Sequence, residues 1–401
     1  MTVWQTQALA EACEIKPQKS EVRGRLSGED LVSFVPMEDL GVDQKSPVPT
    51  QKRALSDVIG SYTYFADGDV LLAKITPCFE NGKLGIAVGL ENGVGFGSSE
   101  YIVFRPGPLI HRDWLYYFLS RDSFRVEGEA RMGGAVGHKR VAKEFIENYQ
   151  IPIAPVEEQR RIVAILDEAF AGIATAKANA EKNLQNAREI FENHLQSVFG
   201  QCGSGWVDTT IGEVTRFIDY RGKTPIKTES GLRLITAKNV KMGFVQRDPE
   251  EFVAPDSYDA WMTRGIPLKG DVLFTTEAPC GNVAQLDTDE KVVFAQRIII
   301  MQPDSKRLDS TFLKYALLSS PLQKRIQAKA TGATALGIKA SLLRTIEFSF
   351  PKEVKEQMRI VAILDTLRDE VARLESLYTR KLAALDELKQ SLLQRAFSGQ
   401  L

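Results

Sequence analysis

Cysteine follows proline twice in this chain, at Pro77-Cys78 and at Pro279-Cys280. Such a pair can carry the nucleophile of a cytosine methyltransferase. That chemistry also needs a glycine-rich S-adenosylmethionine loop and a separate carboxylate for the base ring, and no such loop is found. Nor is there an Asn/Asp-Pro-Pro-aromatic motif for methylating an amino group. Two thiols packed as small hydrophobes, each in a turn at the end of a strand, are the simpler reading. Gly222-Lys223-Thr224 ends like a phosphate loop, but Phe217 stands where its first glycine belongs. No strand–G-x-G-x-x-G–helix unit, H-E-x-x-H or G-x-S-x-G occurs. The 4 cysteines and 3 histidines form no C-x-x-C pair and supply no zinc-ligand cluster. The expectation is a chain with no catalytic residue, no metal and no cofactor of its own.

The residues around the two Pro-Cys turns suit ligand contact better than catalysis. Lys74, Thr76, Asn81 and Lys83 surround the first turn, and Thr275, Thr276 and Asn282 surround the second. Glycine-rich stretches lie further along, at Arg131–Arg140 and Thr331–Lys339. Glycine lets a backbone approach a phosphate, Lys and Arg neutralise it, and Arg, Asn, Gln and Glu pair with base edges in the major groove. For any one of these residues an ordinary exposed loop explains the sequence equally well.

The elements that must position these loops are written twice. Glu158, Gln159 and Ile162–Asp167 return 198 positions later (158 to 356) as Glu356, Gln357 and Ile360–Asp365. The same offset carries Leu195-Gln196 and Phe199 onto Leu393-Gln394 and Phe397. Further anchors follow with small changes of offset: Trp4 with Trp206, Gly68–Leu71 with Gly270–Leu273, Pro77-Cys78 with Pro279-Cys280, and Gly134-Ala135 with Gly332-Ala333. Between the anchors the halves diverge, as expected of two recognition modules reading different targets.

Each half divides into a globular part and a helix. Short β-type runs such as Val70–Ile75 and Val272–Thr276 alternate with helical patterns such as 111–125 and 310–329, predicting mixed α/β parts with a twisted, mostly antiparallel sheet. After Pro155 and after Pro351 the apolar residues recur at steps of three and four, a mean near 3.5. This predicts two long helices forming a coiled coil. The stripes are Ile162, Leu166, Ala169, Ile173, Ala176, Ala180, Leu184, Ala187, Phe191, Leu195 and Val198 in the first, and Ile360, Leu364, Leu367, Val371, Leu374, Tyr378, Leu385, Leu388 and Leu392 in the second. At ~1.5 Å per residue each helix spans ~60 Å. Side by side and antiparallel, they would hold two readers one turn of B-DNA (about 34–36 Å) or slightly more apart.

Bulk composition is that of an ordinary globular protein, with 43% hydrophobic and 26% charged residues. No apolar run suits a membrane span, and Met1–Gln5 shows no basic segment followed by an apolar block as a signal peptide would, so a cytoplasmic protein is expected. The net charge of −1 says nothing for a polyanion, but its distribution does. Lys314, Lys324, Arg325, Lys329, Lys339 and Arg344 occur without an acid between 313 and 344, and eight basic residues between 216 and 247 face only Asp219 and Glu229. Phosphate fields act locally, within about 10 Å in salt, so a neutral protein with basic faces can bind nucleic acid.

The E-x-Q-x-x-I-V-x-I-L-D repeat heading both helices, with the Thr76–Lys83 loop, resembles the specificity subunit of a type I DNA restriction-modification system, over essentially the whole chain. The resemblance implies an α+β fold with two pseudo-repeated mixed α/β target-recognition domains, 1–150 and 205–350, joined by antiparallel helices at 156–199 and 354–397. It implies double-stranded DNA as ligand, read as an asymmetric two-part site. Two methyltransferase subunits would dock on the chain and restriction/translocase subunits would join the complex, with no membrane. Carried onto this sequence, the DNA-binding candidates in the first half are Lys74, Thr76, Asn81, Lys83, Ser98, Ser99, His138, Lys139 and Arg140. In the second they are Tyr220, Arg221, Lys223, Thr276, Asn282, Gln296, Arg297, Thr334 and Lys339. The first half is not visibly basic before Lys139, which departs from a self-sufficient DNA binder. Two alternatives remain open on the residues: a stand-alone coiled-coil interaction protein without DNA binding, and a methyltransferase with unfamiliar motifs.

Overall fold

The computed structural model of the chain describes residues 4–47, 49–135, 137–220, 225–332 and 336–401. It forms two compact units. The first comprises Met1–Ala180 with Arg380–Leu401, and the second comprises Glu181–Thr379.

In the first unit the central strand Val70–Ala73 is buried on both faces, which its unbroken apolar run requires. It pairs antiparallel with Tyr101–Pro106 and Leu84–Ile86, and Cys13–Ile15 completes the sheet. Side chains alternate across the sheet with period two. Val70, Leu72 and Phe104 face a core shared with the helices, whereas Leu71, Ala73 and Val103 face a second core with Val35, Leu40 and Phe65. The second sheet has the order Gln51–Ala54, Leu31–Val35, Val94–Gly97, Thr63–Ala66.

The second unit repeats this plan. Its first sheet has the order Thr215–Asp219, Ile298–Pro303, Val272–Thr275, Val283–Gln285, all antiparallel. Val272, Phe274, Ile299 and Met301 face one core, and Leu273, Ile298 and Ile300 the other. Its second sheet has the order Lys227–Thr228, Phe252–Val253, Leu232–Ile235, Val293–Phe294. The sequence predicts one mostly antiparallel sheet per globular part, whereas each unit has two four-stranded sheets. One pair in each unit is parallel: Leu31–Val35 with Val94–Gly97, and Leu232–Ile235 with Val293–Phe294. Parallel neighbours need a long crossover, and here two of the first sheet's four strands lie within it. Strand period alone carries no information about such pairing.

A short ribbon closes each globular part just before its long helix. Gln5–Ala8 pairs with Gln150–Ile153, and Trp206–Thr210 with Glu347–Pro351. The helices themselves are Val156–Gly200 and Val354–Phe397. Leu166, Ile173, Ala180 and Ala187 are buried at heptad spacing in the first, as are Leu364 and Val371 in the second. Leu388, expected on the second stripe, is 47% exposed instead.

Within each unit the helical segments run antiparallel. In the first, Arg161 Nη2 donates to Leu401 O at 2.7 Å and Lys177 Nζ lies 2.6 Å from Asp386 Oδ1. In the second, Arg188 Nε lies 2.7 Å from Glu375 Oε1, while Leu195 shares a core with Leu364. Lys177 and Glu375 are equivalent positions (177 + 198 = 375), as are Arg188 and Asp386 (188 + 198 = 386). The same ion pair is therefore present twice with its sign inverted. The last turn of each helix docks on the globular part of the other repeat. Phe397 packs on Trp114 at 4.3 Å between ring centres, and Phe199 on Phe312 at 5.2 Å.

Candidate functional site

Glu158-Gln159 and Glu356-Gln357, the signature of the repeat, anchor the helix starts. Gln159 is fully buried. Its Oε1 accepts from His111 N at 2.8 Å, and its Nε2 donates to Leu109 O and Ala154 O, each at 2.8 Å. Gln357 repeats this with Asp309 N, Arg307 O and Pro351 O, all at 2.8 Å. One amide side chain thus satisfies three backbone groups that would otherwise be orphaned beside an apolar core. About two turns further on, the Tyr117 hydroxyl donates to Asp167 and the Tyr315 hydroxyl to Asp365. These clamps hold each globular part to its helix and so aim the loops. Sequence reading found the glutamines as motif letters but missed their role. The legible signal was an amide retained in both repeats amid apolar neighbours.

In the first unit three distant stretches of chain meet at one edge. Thr76 N donates to Lys139 O at 3.0 Å, Val141 N to Lys74 O at 2.9 Å, and Lys74 Nζ to Ser99 O at 2.9 Å. Lys74, Thr76, Ser98, Ser99, His138, Lys139 and Arg140 are thereby gathered, with His138, Lys139 and Arg140 exposed. Glu100, which the sequence reading passed over, takes two hydrogen bonds from Arg140, at 2.7 and 2.9 Å. Those bonds hold its carboxyl below the usual range against a partial burial penalty, with Lys74 adding to the effect. Asn81 is exposed on the same loop. Lys83 is committed elsewhere, donating to Met37 O at 2.7 Å.

The second unit builds the same edge with its charges exchanged. Thr276 N donates to Arg297 O and Ile338 N to Thr276 O, both at 2.9 Å. Arg297 stands where Glu100 stands in the first unit, and its Nε lies 2.8 Å from Glu277 Oε1. Arg297 holds a φ of 78°, the left-handed region that residues with a Cβ avoid, and keeps its guanidinium exposed. Lys339 is exposed and Gln296 half-buried. Thr276 is buried, and Asn282 donates to Val240 O at 2.8 Å, the counterpart of the Lys83 tether. Tyr220 is also buried, stacked on Trp261 with its hydroxyl bonded to Gly265 O. Arg221, Lys223 and Thr334 lie outside the described residues.

The Pro-Cys turns provide no activated nucleophile. Burial pushes the Cys280 thiol up from its ordinary value, the opposite of what a thiolate needs, and Cys78 packs beside a core. Among the described residues no three His, Cys, Asp or Glu side chains are grouped to hold a metal ion.

The family model for the type I restriction modification DNA specificity domain matches residues 3–185 and again 203–379. This chain belongs to that family. Among its members, the type I restriction enzyme EcoAI specificity subunit of Escherichia coli is 39% identical over 161 residues, 40% of this chain and 27% of that subunit. The EcoEI specificity subunit of the same species is 30% identical over 249 residues, 62% of this chain and 41% of that subunit. The chain thus spans under half the length of either relative. A chain from a structure of complex assembly and conformational transition of the type I R-M system superimposes with a TM-score of 0.81. It is 21% identical, covering all of this chain and 99% of that one. The HsdS subunit from Thermoanaerobacter tengcongensis follows at a TM-score of 0.66 and 20% identity, covering 99% and 97%. These likenesses give a type I specificity-family chain its fold. The two matched segments fall on the two repeats read from the sequence.

Proposed function

We propose that this chain is the non-catalytic, DNA-reading specificity subunit of a type I restriction-modification complex in the cytoplasm, recognising an asymmetric two-part site. One observation carries the reading. The two units share a frame down to individual backbone hydrogen bonds, yet the loops at the same edge carry different, even charge-exchanged, side chains. Catalysis copied twice would keep its side chains; recognition of two different half-sites would vary them.

The exposed candidates, Asn81, Ser99, His138, Lys139 and Arg140 in one unit and Arg297 and Lys339 in the other, fit base or phosphate contact. Docking of two methyltransferase subunits is supported by exposed apolar side chains at equivalent places on the helices. Ile165 and Leu388 lie in the first unit, and Ile363 and Ile190 in the second. Two like patches suit two like partners. Among the described residues no helix is long and apolar enough to cross a membrane.

Mapping methylated adenines after co-expression with a methyltransferase partner tests the reading. Modified sites should share two short blocks separated by an unread gap, and one continuous motif would refute the two-reader model. Gel shifts over a salt series should show log affinity falling steeply with log salt, by about 0.9 for each phosphate neutralised. Arg297→Gly separates reading from folding. Glycine takes the left-handed conformation freely, and the exposed pair with Glu277 is worth only about 0–1 kcal/mol. The melting midpoint should hold or rise, while DNA affinity falls roughly tenfold.

A further inference from the structure

In the second unit a cavity of about 480 Å³ opens between the globular part and the helices. Its walls are largely apolar, with Phe191, Leu195, Met242, Phe244, Leu318 and Val371, and charged side chains stand among them. Lys314 also lines it, and that residue is only 4% exposed. Its ammonium lies 4.2 Å from the centre of the Tyr315 ring, and among the described residues it has no hydrogen-bond or ion-pair acceptor. The neighbouring acids are engaged or remote. Asp365 takes the Tyr315 hydroxyl and lies 3.6 Å from Arg368, Asp309 accepts from Phe312 N, and Glu375 pairs with Arg188. Glu192 stands exposed on the rim.

The equivalent place in the first unit shows what is missing. There Tyr116 replaces Lys314 and Phe170 replaces Arg368, each 198 positions earlier. The cation is supplied instead by Lys389, where the second unit has Phe191. Lys389 lies 5.7 Å from the Phe170 ring centre and is paired with Asp43, from the loop that follows the strand Leu31–Val35. The loop that follows Leu232–Ile235 in the second unit offers Met242, Gly243 and Phe244 to the cavity, and no acid. One unit satisfies its half-buried cation from its own chain; the other leaves an amine under a largely apolar funnel of small-molecule size.

We propose that this cavity binds a small organic carboxylate on a compact apolar body, anchored by the Lys314 ammonium with Arg368 beside it. A charge-assisted hydrogen bond would replace the one that Asp43 makes in the first unit. Burial lowers the Lys314 pKa to about 8, with Arg368 adding to the shift. The unfolded chain therefore binds more protons than the folded one between about 8 and the ordinary lysine value of 10.5. Stability at this site rises as the pH climbs through that window, and the burial penalty is complete below it. Lys314→Met should flatten that dependence in melts from pH 7 to 10, and should fold well because its neighbours are apolar.

Titration of the full chain with hexanoate and phenylacetate, and with hexanamide and phenylacetamide as uncharged controls, tests the site. Calorimetry should show each acid binding at least tenfold more tightly than its amide, and Lys314→Met should abolish that difference. Equal binding of acid and amide, undiminished acid binding by Lys314→Met, or no binding at all would overturn the proposal. So would binding that appears only in Glu192→Gln, since the rim carboxylate would then be the native occupant.

Discussion

Gln357→Leu is expected to lower the stability of the second unit by roughly 3–6 kcal/mol. Leucine fills the space but leaves Asp309 N, Arg307 O and Pro351 O without the partner each has at 2.8 Å. Each buried orphan costs about 1–3 kcal/mol, and ordered water could recover part of this. Gln159→Leu should do the same to the first unit through His111 N, Leu109 O and Ala154 O. Urea denaturation followed by hydrogen exchange would assign each loss to its unit, which matters because a chain of two units need not unfold in one step. A loss under about 1 kcal/mol would mean that the clamp is ornamental.

Replacing residues 205–350 with the corresponding segment of another family member is expected to change one half of the methylated sequence and leave the other intact. The segment is bounded by the ribbon Trp206–Thr210 with Glu347–Pro351, so the graft enters and leaves through one short pairing. The loops carrying Glu277, Arg297 and Lys339 all lie inside it. If both halves of the site change, the units do not read independently. Adding one heptad to each helix should instead alter the gap: seven residues at ~1.5 Å rise add ~10 Å, about three base pairs at 3.4 Å. Methylome sequencing distinguishes the two outcomes directly.

Much of this fold was legible in the chain. The constant offset of the repeat identified both helices, and the heptad spacing of Leu166, Ile173, Ala180 and Ala187 located their buried seam. Periodicity placed Leu388 on that seam too, and the structure leaves it half-exposed. A strict repeat does not say where a helix pair widens. The parallel pairing of Leu31–Val35 with Val94–Gly97 was hidden because an apolar alternation is the same for either strand direction. At the candidate interface, residue types pointed to loops that the fold gathers at one edge, and not to which side chains there stand free. Lys83 and Asn282 looked like contacts and serve as tethers to backbone carbonyls. Glu100 was passed over, and Glu277 counted only as part of its loop, because the sequence does not show the arginine that each one meets.

The inverted ion pairs bear on how two molecules of this protein would meet. Lys177 and Arg188 give the central helix cations at both places, and Glu375 and Asp386 give the C-terminal helix anions. Were two copies to mate through like helices in the same antiparallel register, lysine would confront arginine on one mating and glutamate would confront aspartate on the other. Each exposed pair is worth only about 0–1 kcal/mol, too little to build a fold. It is enough to tilt a choice between near-identical alternatives, and a duplicated chain faces that choice constantly. The charges act as a key that tells each rod apart from its own twin.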